Sequence, residues 1–463
     1  MNANPIELKI CYIGGGSRDW AWVLMKDLCF EKEISGLVYL YDINVEAARA
    51  NEAMGNKLMA ASSGQWKFKT EPSLEKALEG SDFVFISILP GSFENMEIDV
   101  HAPEKYGIYQ SVGDSVGPGG LNRALRTVPM YVEIAGAIRK WAPTVWVINY
   151  TNPMSICTRT LYRVFPDIKA FGCCHEVFNT QKLLARVAVR AGLAASINRK
   201  EIVTNVLGIN HFTWMDKASW RDIDLFPHYA RFVEEFAESG YDEGGEESWL
   251  TSYFGTGRRV EMDLFRRYGL IAAAGARHMA EFCPSYWYLG NPEMVKSWQF
   301  SLTPVSWRMQ QREELKQKSQ AFRDGLETMV PEHSDEEGIL QIKALLGLGN
   351  MVTNVNLPNH SQMPDFPSGA VVETNAFFSR DNIQPVITAG LPRPLRSLVL
   401  QQVENQEGII DAALERDPEA AFRTFLNDPQ VRSISREDAR RLFAYMTEKT
   451  LPAGYWAERM AAF

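Results

Sequence analysis

Cysteine is scarce in this 463-residue sequence, which has six, and no uninterrupted apolar run approaches the length of a membrane span. So few cysteines cannot form a disulfide framework in a chain of this length. Residues 1 to 5 also lack the basic and apolar regions of an export signal. These absences argue against secretion and membrane insertion, and we expect a protein of the reducing cytoplasm.

An excess of positive charge is also missing, since 48 basic residues stand against 57 acidic ones and the net charge is −9. Nucleic acid is therefore not an expected partner. What the sequence does contain is ordinary for a globular protein, with 46% hydrophobic and 23% charged residues. The length predicts two to three domains, and we find no internal repeat.

The first apolar run, residues 6–13, leads directly into a run of glycines, and helix-compatible residues follow to about residue 31. This order predicts the strand, tight turn and helix of a dinucleotide-binding fold, in which glycines let the backbone approach a pyrophosphate. The pattern is incomplete, because Asp19 occupies the third glycine position of G-x-G-x-x-G. The predicted cofactor-binding residues of the turn are Gly14, Gly15, Gly16 and Ser17.

Asp42 ends a second predicted strand over residues 37–41. A carboxylate at this place accepts hydrogen bonds from an adenosine ribose and would repel a 2′-phosphate, so NAD is favoured over NADP. The alternative is that Asp42 only caps the helix that begins near Val45.

Further apolar runs alternate with helix-compatible stretches through the first 200 residues. The predicted strands cover residues 66–69, 82–88, 144–149 and 168–172, and the predicted helices cover residues 73–78, 121–141, 153–165 and 178–191. Residues 113–120 are rich in glycine and are predicted as a loop. The alternation predicts an α/β protein, with a Rossmann-like doubly wound parallel sheet over residues 1–200.

The strand over residues 144–149 ends in Asn149, and the pair Asn152-Pro153 follows shortly after. This stretch resembles the lactate and malate dehydrogenases, in which an asparagine at this place lies beside the nicotinamide. We therefore predict Asn149 as a cofactor contact. The alternative is a turn of asparagines before proline, which is common in any protein.

The second half of the sequence differs in character, because long helical stretches dominate it. The predicted helices cover residues 229–239, 259–268, 306–330, 338–346 and 396–416, and the predicted strands cover residues 203–207, 365–373 and 386–389. We predict that residues 201–463 form a mixed, helix-rich α+β domain with metal, substrate and oligomerisation functions. The acidic residues 243–247 are expected to form a solvated loop without a chemical role.

Cys174 and His175 follow the last predicted strand of the first half, and His211 follows the strand over residues 203–207. A thiolate and an imidazole are suitable ligands for a borderline divalent metal. Cys174 and His211 alone would leave open positions for oxygens of a substrate. The alternative is a buried cysteine and core histidines with structural roles.

Four motifs stand in one order along the chain, and together they resemble glycoside hydrolase family 4, an NAD-dependent exception to two-carboxylate glycosidases. The motifs are Ile13-Gly14-Gly15-Gly16-Ser17, Thr151-Asn152-Pro153, Cys174-His175 and Gly208-Ile209-Asn210-His211. The stretch Cys-His-Glu-Val with Thr-Gln-Lys-Leu-Leu at residues 180–184 is similar to the α-galacturonidase branch. The phospho-glycosidase branches carry Cys-Asp where this sequence has Cys174-His175.

The resemblance implies the release of α-linked galacturonic acid from short oligogalacturonides. NAD⁺ would take a hydride from C3 of the sugar, which makes the C2 proton acidic. Mn²⁺ held by Cys174 and His211 would stabilise the enediolate. Elimination, addition of water and return of the hydride would complete the turnover.

The resemblance also implies roles for individual residues. Asn152 matches the asparagine that contacts the substrate hydroxyls, and His175 occupies the place of the acid that assists the leaving group. A hexuronic acid needs a partner for its carboxylate, and Arg277 or Arg123 is suited to it, unless each is an ordinary surface arginine. The motif of Arg277 adds His278 as a catalytic candidate.

Several other functions stay open at this point. A family 4 α-glucuronidase or α-galactosidase would differ by one hydroxyl contact. A 2-hydroxy acid dehydrogenase would leave Cys174 without a role, and a nucleotide-binding sensor would have lost its catalytic groups. We expect a small carbohydrate substrate and a homodimer or homotetramer.

One position departs from the pattern of the branch, which leads us to expect an aspartate directly before Arg277-His278, where this sequence has Ala276. Loss of a carboxylate that acts as acid or base lowers the rate by about 10² to 10⁴-fold. We therefore predict that Ala276→Asp raises kcat. An unchanged kcat in a steady-state assay of the variant would show that Ala276 does not mark a weakened site.

Overall fold

The computed structural model describes residues 4–244 and 248–457 of the chain, and its centre is a nine-stranded sheet with the order β13-β12-β11-β6-β5-β4-β1-β2-β3. Six of these strands are parallel and follow the dinucleotide-fold order 3-2-1-4-5-6. They are β1 (Ile6–Ile13), β2 (Ile34–Tyr41), β3 (Trp66–Thr70), β4 (Phe83–Ile86), β5 (Trp146–Asn149) and β6 (Lys169–Gly172). The predicted α/β fold class with a Rossmann-like sheet is confirmed.

Helices cover both faces of this sheet. The helices of the first half are α1 (Trp20–Leu28), α2 (Val45–Ser62), α3 (Leu74–Leu78), α4 (Phe93–His101), α5 (Gly117–Trp141), α6 (Met154–Val164) and α7 (Glu176–Arg190), with a 3-10 turn at Pro103–Tyr106. The strands carry buried apolar side chains on both faces, as in β4, where all four residues are buried. Such strands are stable only between two layers of helices.

The second half contributes three strands to the same sheet and forms a second sheet. Its strands are β7 (Ile202–Ile209), β8 (Phe212–Trp220), β9 (Ile223–Asp224), β10 (Ile271–Ala272), β11 (Met351–Pro358), β12 (Val371–Ser379) and β13 (Asn382–Pro385). β11, β12 and β13 pair antiparallel and extend the first sheet beyond β6. β7 and β8 form a hairpin, to which β9 and β10 add.

The remaining helices pack around both sheets. They are α8 (Phe226–Phe236), α9 (Arg259–Tyr268), α10 (Ala276–Phe282), α11 (Ser285–Tyr288), α12 (Pro292–Ser297), α13 (Val305–Asp324), α14 (Gly338–Leu345), α15 (Arg393–Glu415), α16 (Pro418–Asn427) and α17 (Arg436–Thr450), with 3-10 turns at Arg199–Glu201 and Val431–Ser433. α15, α16 and α17 share one apolar core with α5 and α6, so the second half covers part of the first. The predicted division at residue 200 stays a prediction.

Three local predictions were wrong. The strands expected over residues 365–373 and 386–389 are displaced, because β12 begins only at Val371 and β13 ends at Pro385. The loop expected over residues 113–120 ends early, because α5 begins at Gly117. The glycines of this stretch permit close packing, since a Cβ at Gly120 would lie 2.5 Å from the backbone of Ser115.

Among the described residues, no helix is both long and apolar enough to cross a membrane.

Asn51 on α2 is fully buried and fixes the glycine turn after β1. Its amide nitrogen donates to the carbonyl oxygens of Gly15 at 2.8 Å and Ser17 at 2.7 Å. Its amide oxygen accepts from the indole nitrogen of Trp22 on α1 at 2.9 Å. One side chain therefore joins the turn, α1 and α2.

We predict that Asn51→Ala lowers the free energy of unfolding by about 2 kcal/mol, because it leaves buried carbonyl and indole groups without partners. It should also weaken NADH binding, since the turn loses its brace. Urea unfolding and fluorescence titration with NADH measure both effects. Asn56→Ala is the matched control, because Asn56 lies on the same helix and bonds the backbone of Phe68 instead. Equal weakening of NADH binding by both variants would contradict the role of Asn51.

Candidate active site

The glycine turn leaves an open backbone at the carboxyl end of β1. Gly14 has φ +97°, and a Cβ there would lie 1.9 Å from the carbonyl oxygen of Ser87, so only glycine fits. No side chain caps the amino end of α1, which begins just after the turn. Free N–H groups at such a helix end suit a pyrophosphate, so this turn fits a dinucleotide.

Asp42 lies against this turn. Its carboxylate accepts the backbone N–H groups of Gly16 at 2.8 Å and Asn44 at 2.7 Å. Asn44, not Asp42, caps α2, because its side chain accepts from the backbone nitrogen of Ala47 at 3.1 Å. The capping alternative for Asp42 is therefore wrong, and its contact with a ribose stays a prediction.

The side chain of Asn149 is buried and bonded inside the protein. Its amide oxygen accepts from the hydroxyl of Tyr131 at 2.5 Å and the backbone nitrogen of Thr151 at 3.2 Å. Its amide nitrogen donates to the carbonyl oxygen of Thr151 at 3.1 Å. Asn149 thereby shapes the turn that carries Asn152, and the predicted cofactor contact stays a prediction.

Asn152 lies between the half-buried carboxylate of Asp114 and the buried guanidinium group of Arg123. Its amide nitrogen donates to the carboxylate of Asp114 at 3.3 Å, and its carbonyl oxygen accepts from Nε of Arg123 at 3.2 Å. Its own amide oxygen is buried without a hydrogen-bond partner. That oxygen is therefore available to a ligand. The sequence-predicted residues Asn152 and Arg123 are thus in direct contact.

Asp114, His211 and His278 form the one group of metal-binding side chains found among the described residues, with their ligand atoms all within 4.8 Å of one another. The two imidazole rings stack with centroids 3.7 Å apart. Nδ1 of His211 lies 3.1 Å from the hydroxyl of Ser115, and Nδ1 of His278 is buried without a partner. Two imidazoles and a carboxylate are a suitable donor set for a divalent cation.

The charge states of this group follow from its burial. Burial and the neighbouring His211 lower the pKa of His278 to about 3. Burial also lowers the pKa of His211. Burial opposes ionisation of Asp114, but His211 and Arg123 outweigh it, and the pKa of Asp114 is lowered. Neutral imidazoles beside an ionised carboxylate are ready to bind a cation.

Cys174 follows β6 and is half-buried, but it is not a member of this group. Its carbonyl oxygen accepts from the amide of Asn354 at 3.3 Å. Burial, with the nearby carboxylates of Glu373 and Glu176, raises the pKa of its thiol well above the ordinary value. The thiol is therefore protonated here, and a metal would have to displace the proton. The ligand pair Cys174 and His211 stays a prediction.

His175 faces the open side of the site, with 41% of its side chain exposed. Its Nδ1 lies 3.0 Å from a carboxylate oxygen of Glu336, and its ring stacks on Trp20 at 5.7 Å. Burial opposes protonation, but the hydrogen bond to Glu336 raises the pKa of His175. The imidazole is thus held in one orientation by a carboxylate and an aromatic face.

Glu176 joins this region to α10. Its carboxylate accepts the backbone nitrogen of Gly275 at 2.8 Å and lies 3.8 Å from Nε2 of His278. Burial opposes its ionisation, but His278 and the other histidines lower the pKa of Glu176 to about 2. Ala276, at the start of α10, is buried, and its backbone nitrogen donates to the carboxylate of Glu261 at 3.1 Å.

A cavity of about 240 Å³ opens beside these groups. It is lined by His175, Glu176, Asn179, Lys182, Arg186, Glu243, Phe254, Thr256, Arg258, Gly275, Ala276, Arg277 and His278. Arg277 is buried, donates to the carbonyl oxygen of Ser111 at 3.0 Å and to the hydroxyl of Thr303, and lies over the ring of Phe254. Burial lowers the pKa of Arg277 to about 10, so it stays a cation at neutral pH.

The acidic stretch over residues 243–247 is only partly a solvated loop. The side chain of Glu243 is 5% exposed and pairs with Arg186 and Arg258, so the expectation of a solvated side chain is wrong at this residue. Residues 245–247 lie outside the described residues.

Five buried or half-buried residues of the site are not predicted from the sequence. They are Asn51, Asp114, Glu176, Glu336 and Glu373. Glu176 directly follows the Cys174-His175 motif, which is a usable signal. Asp114 stands in the glycine-rich stretch over residues 113–120, whose sequence predicts only a loop. The other three carry no local signal, because their partners come from distant parts of the chain.

The fold and this cluster of ionisable groups at the carboxyl ends of β5 and β6 define an enzyme built on a dinucleotide-binding sheet. The chain belongs to glycoside hydrolase family 4. The model of the family 4 glycosyl hydrolases matches residues 9–189, and the model of their C-terminal domain matches residues 206–431. The resemblance seen in the sequence motifs is confirmed.

Known relatives cover nearly the whole chain. An α-galacturonidase of Thermoanaerobacter italicus is 56% identical over 447 residues, which are 96% of this chain and 97% of that protein. A crystal structure of the Bacillus subtilis protein lplD is 50% identical, with a TM-score of 0.91 over 96% of this chain and 100% of that one. A 6-phospho-α-glucosidase from gut microorganisms, in complex with NAD and Mn²⁺, shares the fold at 19% identity, with a TM-score of 0.81 over 99% of this chain and 100% of that one.

Glu281 on α10 holds the loop that carries Asp114. Its carboxylate accepts the backbone nitrogens of Val112 at 2.7 Å and Gly113 at 2.9 Å. Burial outweighs these bonds and raises the pKa of Glu281 from 4.5 to about 7. A carboxyl whose pKa is raised in the folded state stabilises the protein below the unfolded pKa, and this stability is lost as pH rises through the folded pKa.

We predict that Glu281→Gln gains stability relative to the unchanged protein between pH 5 and pH 8, by up to about 3 kcal/mol, because the amide cannot ionise. Urea unfolding of both proteins at the two pH values measures the difference. Other buried acids, such as Asp428, titrate in both proteins, so their contributions cancel in the stability difference between the two. A difference that is the same at pH 5 and pH 8 would contradict the prediction.

Proposed function

We propose that the chain is an α-galacturonidase that releases α-linked galacturonic acid from short oligogalacturonides. The near full-length similarity to the α-galacturonidase of Thermoanaerobacter italicus supports the reaction. The environment of Arg277 is the observation that supports a uronic acid as the substrate. It is a buried cation that lines the cavity, and no ion pair joins it to a carboxylate among the described residues. The uronate carboxylate would supply that partner.

The proposed cofactors are NAD and Mn²⁺. The glycine turn and the uncapped start of α1 fit the pyrophosphate, with Gly14, Gly15, Gly16, Ser17, Asp42 and Asn149 as the proposed contacts. NAD supplies reversible hydride transfer at C3 of the sugar, which makes the C2 proton acidic. A divalent metal supplies Lewis-acid polarisation of the sugar oxygens. The 6-phospho-α-glucosidase that shares the fold binds both groups.

Cys174 and His211 are the proposed metal ligands, and Asp114 and His278 are further candidates because their donor atoms cluster with those of His211. Arg123 and Asn152 stand on the other side of Asp114. The unpartnered amide oxygen of Asn152 would accept a hydrogen bond from a sugar hydroxyl. In this arrangement, Asn152 and the metal-binding side chains would contact the same sugar.

His175 is proposed to give a proton to the leaving group. It is the histidine of the site with the most exposed side chain, and the leaving sugar of an oligosaccharide must extend toward solvent. Glu336 fixes its Nδ1, which leaves Nε2 for the substrate.

A cytoplasmic enzyme fits the six cysteines, all of which are free. We also propose a homodimer or homotetramer. Large apolar side chains such as Leu250, Tyr286 and Ile387 are more than 70% exposed and would be covered in an assembly.

The test is a release assay with p-nitrophenyl α-galacturonide in the presence of NAD⁺, Mn²⁺ and a thiol. We expect release of p-nitrophenol without accumulation of NADH, because the hydride returns to the sugar in each turnover. Accumulation of NADH would point instead to a dehydrogenase, and the absence of both signals to a binding protein.

Arg277→Gln serves to test the substrate class in the same assay. The preference for the galacturonide over the neutral α-galactoside should fall about tenfold or more, because a charge-assisted bond to the carboxylate is lost. Arg267→Gln is the matched control, since Arg267 lies 4.7 Å over the ring of Trp287 as Arg277 lies 4.8 Å over Phe254. An unchanged preference in Arg277→Gln would remove this residue from substrate recognition.

A further inference from the structure

A group of aromatic side chains beside the cavity of the candidate active site has no role in the chemistry proposed for the released sugar. Phe254 lines this cavity and is 54% exposed, and the neighbouring Tyr253 is 36% exposed. Both rings contact the indole of Trp307 on α13, with centroids 5.2 Å apart in each pair. Exposed rings beside a cavity are typical of a ligand-binding surface, and the C–H face of a sugar packs on such rings.

Arg308 follows Trp307 on α13 and brings a half-buried positive charge to this group of rings. Its guanidinium group lies 5.9 Å from the centre of the Phe254 ring. Within residues 4–244 and 248–457, this guanidinium group makes no hydrogen bond and no ion pair in direct contact. Arg308 is therefore a cation beside the cavity that can still bind an anion.

The two carboxylates that act on Arg308 from a distance already have other partners. Asp114 attracts the guanidinium group, but its oxygens accept from Asn152 at 3.3 Å and Ser115 at 2.8 Å. Glu281 also attracts it, but one of its oxygens holds two backbone N–H groups of the loop before Asp114. Burial outweighs both attractions, and the pKa of Arg308 is lowered. A carboxylate in direct contact would stabilise this cation.

Arg277 and Arg308 place two cations at one aromatic ring. The guanidinium group of Arg277 lies 4.8 Å from the centre of the Phe254 ring, and Arg277 is the proposed partner of the carboxylate on the released sugar. After burial, the positive charge of Arg308 is the largest influence that lowers the pKa of Arg277. Two carboxylates would offset both charges, and an oligogalacturonide carries one carboxylate on each sugar.

We propose that Phe254, Trp307 and Arg308 bind the leaving sugar, which is the galacturonate next to the one that is released. Phe254 and Trp307 would support its C–H face, and Arg308 would pair with its carboxylate. The inference rests on the proposed α-galacturonidase function and extends it from the released sugar to the next sugar of the chain. An acidic leaving sugar should therefore be preferred over a neutral one.

The experiment compares kcat/KM of the full-length protein, with NAD⁺ and Mn²⁺, for digalacturonate and for the same disaccharide with a methyl ester on the leaving sugar. We expect the unchanged protein to prefer digalacturonate about tenfold, because the ester cannot form the charge-assisted pair. Arg308→Gln should abolish this preference by lowering kcat/KM for digalacturonate. Arg308→Lys should restore part of it, since the positive charge returns without the planar fork.

Arg312→Gln is the matched control. Arg312 lies one turn further along α13, 5.2 Å over the ring of Phe93, as Arg308 lies over Phe254. This variant should keep the preference for digalacturonate.

Equal kcat/KM of the unchanged protein for the two disaccharides would overturn the proposal without any variant. Release of galacturonic acid from both would at the same time support the glycosidase function. A preference that persists in Arg308→Gln would also overturn the proposal, because another residue would then bind the carboxylate. Release from neither disaccharide would overturn this proposal and the proposed function together.

Discussion

A single buried carboxylate, that of Glu373 on β12, joins the two sheets at the candidate active site. It accepts hydrogen bonds from the amides of Asn354 at 2.7 Å, Asn356 at 3.0 Å and Asn210 at 3.1 Å. No basic residue in the described part of the chain contributes, so three amide dipoles must stabilise a carboxylate that has lost its water. The arrangement therefore fixes the positions of two strands and one turn at once.

Both proposed metal ligands are linked to this carboxylate through asparagines. Asn354 bonds the carbonyl oxygen of Cys174 as well as Glu373. Asn210 directly precedes His211, which has a left-handed φ of 64° in the turn between β7 and β8. Each ligand thus comes from a different sheet, and the distance between them depends on the same group. Such support behind a site keeps its first layer of side chains in place.

The sequence predicted the parallel sheet well, because its strands are short, continuous apolar runs that a local pattern reveals. It also predicted which edge of the sheet carries the site, since Asn152 and Cys174 directly follow β5 and β6. The sequence did not predict β11. Asn354 and Asn356 interrupt its apolar pattern, and both donate hydrogen bonds to Glu373. Polar residues inside a buried strand break the pattern by which the strand would be recognised, and here the same residues belong to the site.

Asp114 was missed for a related reason. Its partners Asn152, His211 and Arg123 come from three separate segments, so no local spacing announces them. The same holds for Glu336 beside His175, which lies about 160 residues further along the chain. Charged residues whose partners are distant in the sequence form no local motif that would identify them. The motif resemblance located their partners but not these residues.

The antiparallel extension of the first sheet has a consequence for synthesis on the ribosome. β6 remains an edge strand until β11 reaches it, and about 180 residues separate Gly172 from Met351. At 5 to 20 residues per second, that interval lasts roughly 10 to 40 s. During this time, the strand that delivers Cys174 presents unpaired backbone groups to the surroundings. The segment that later becomes the active site is therefore exposed to wrong strand pairing until β11 has been made.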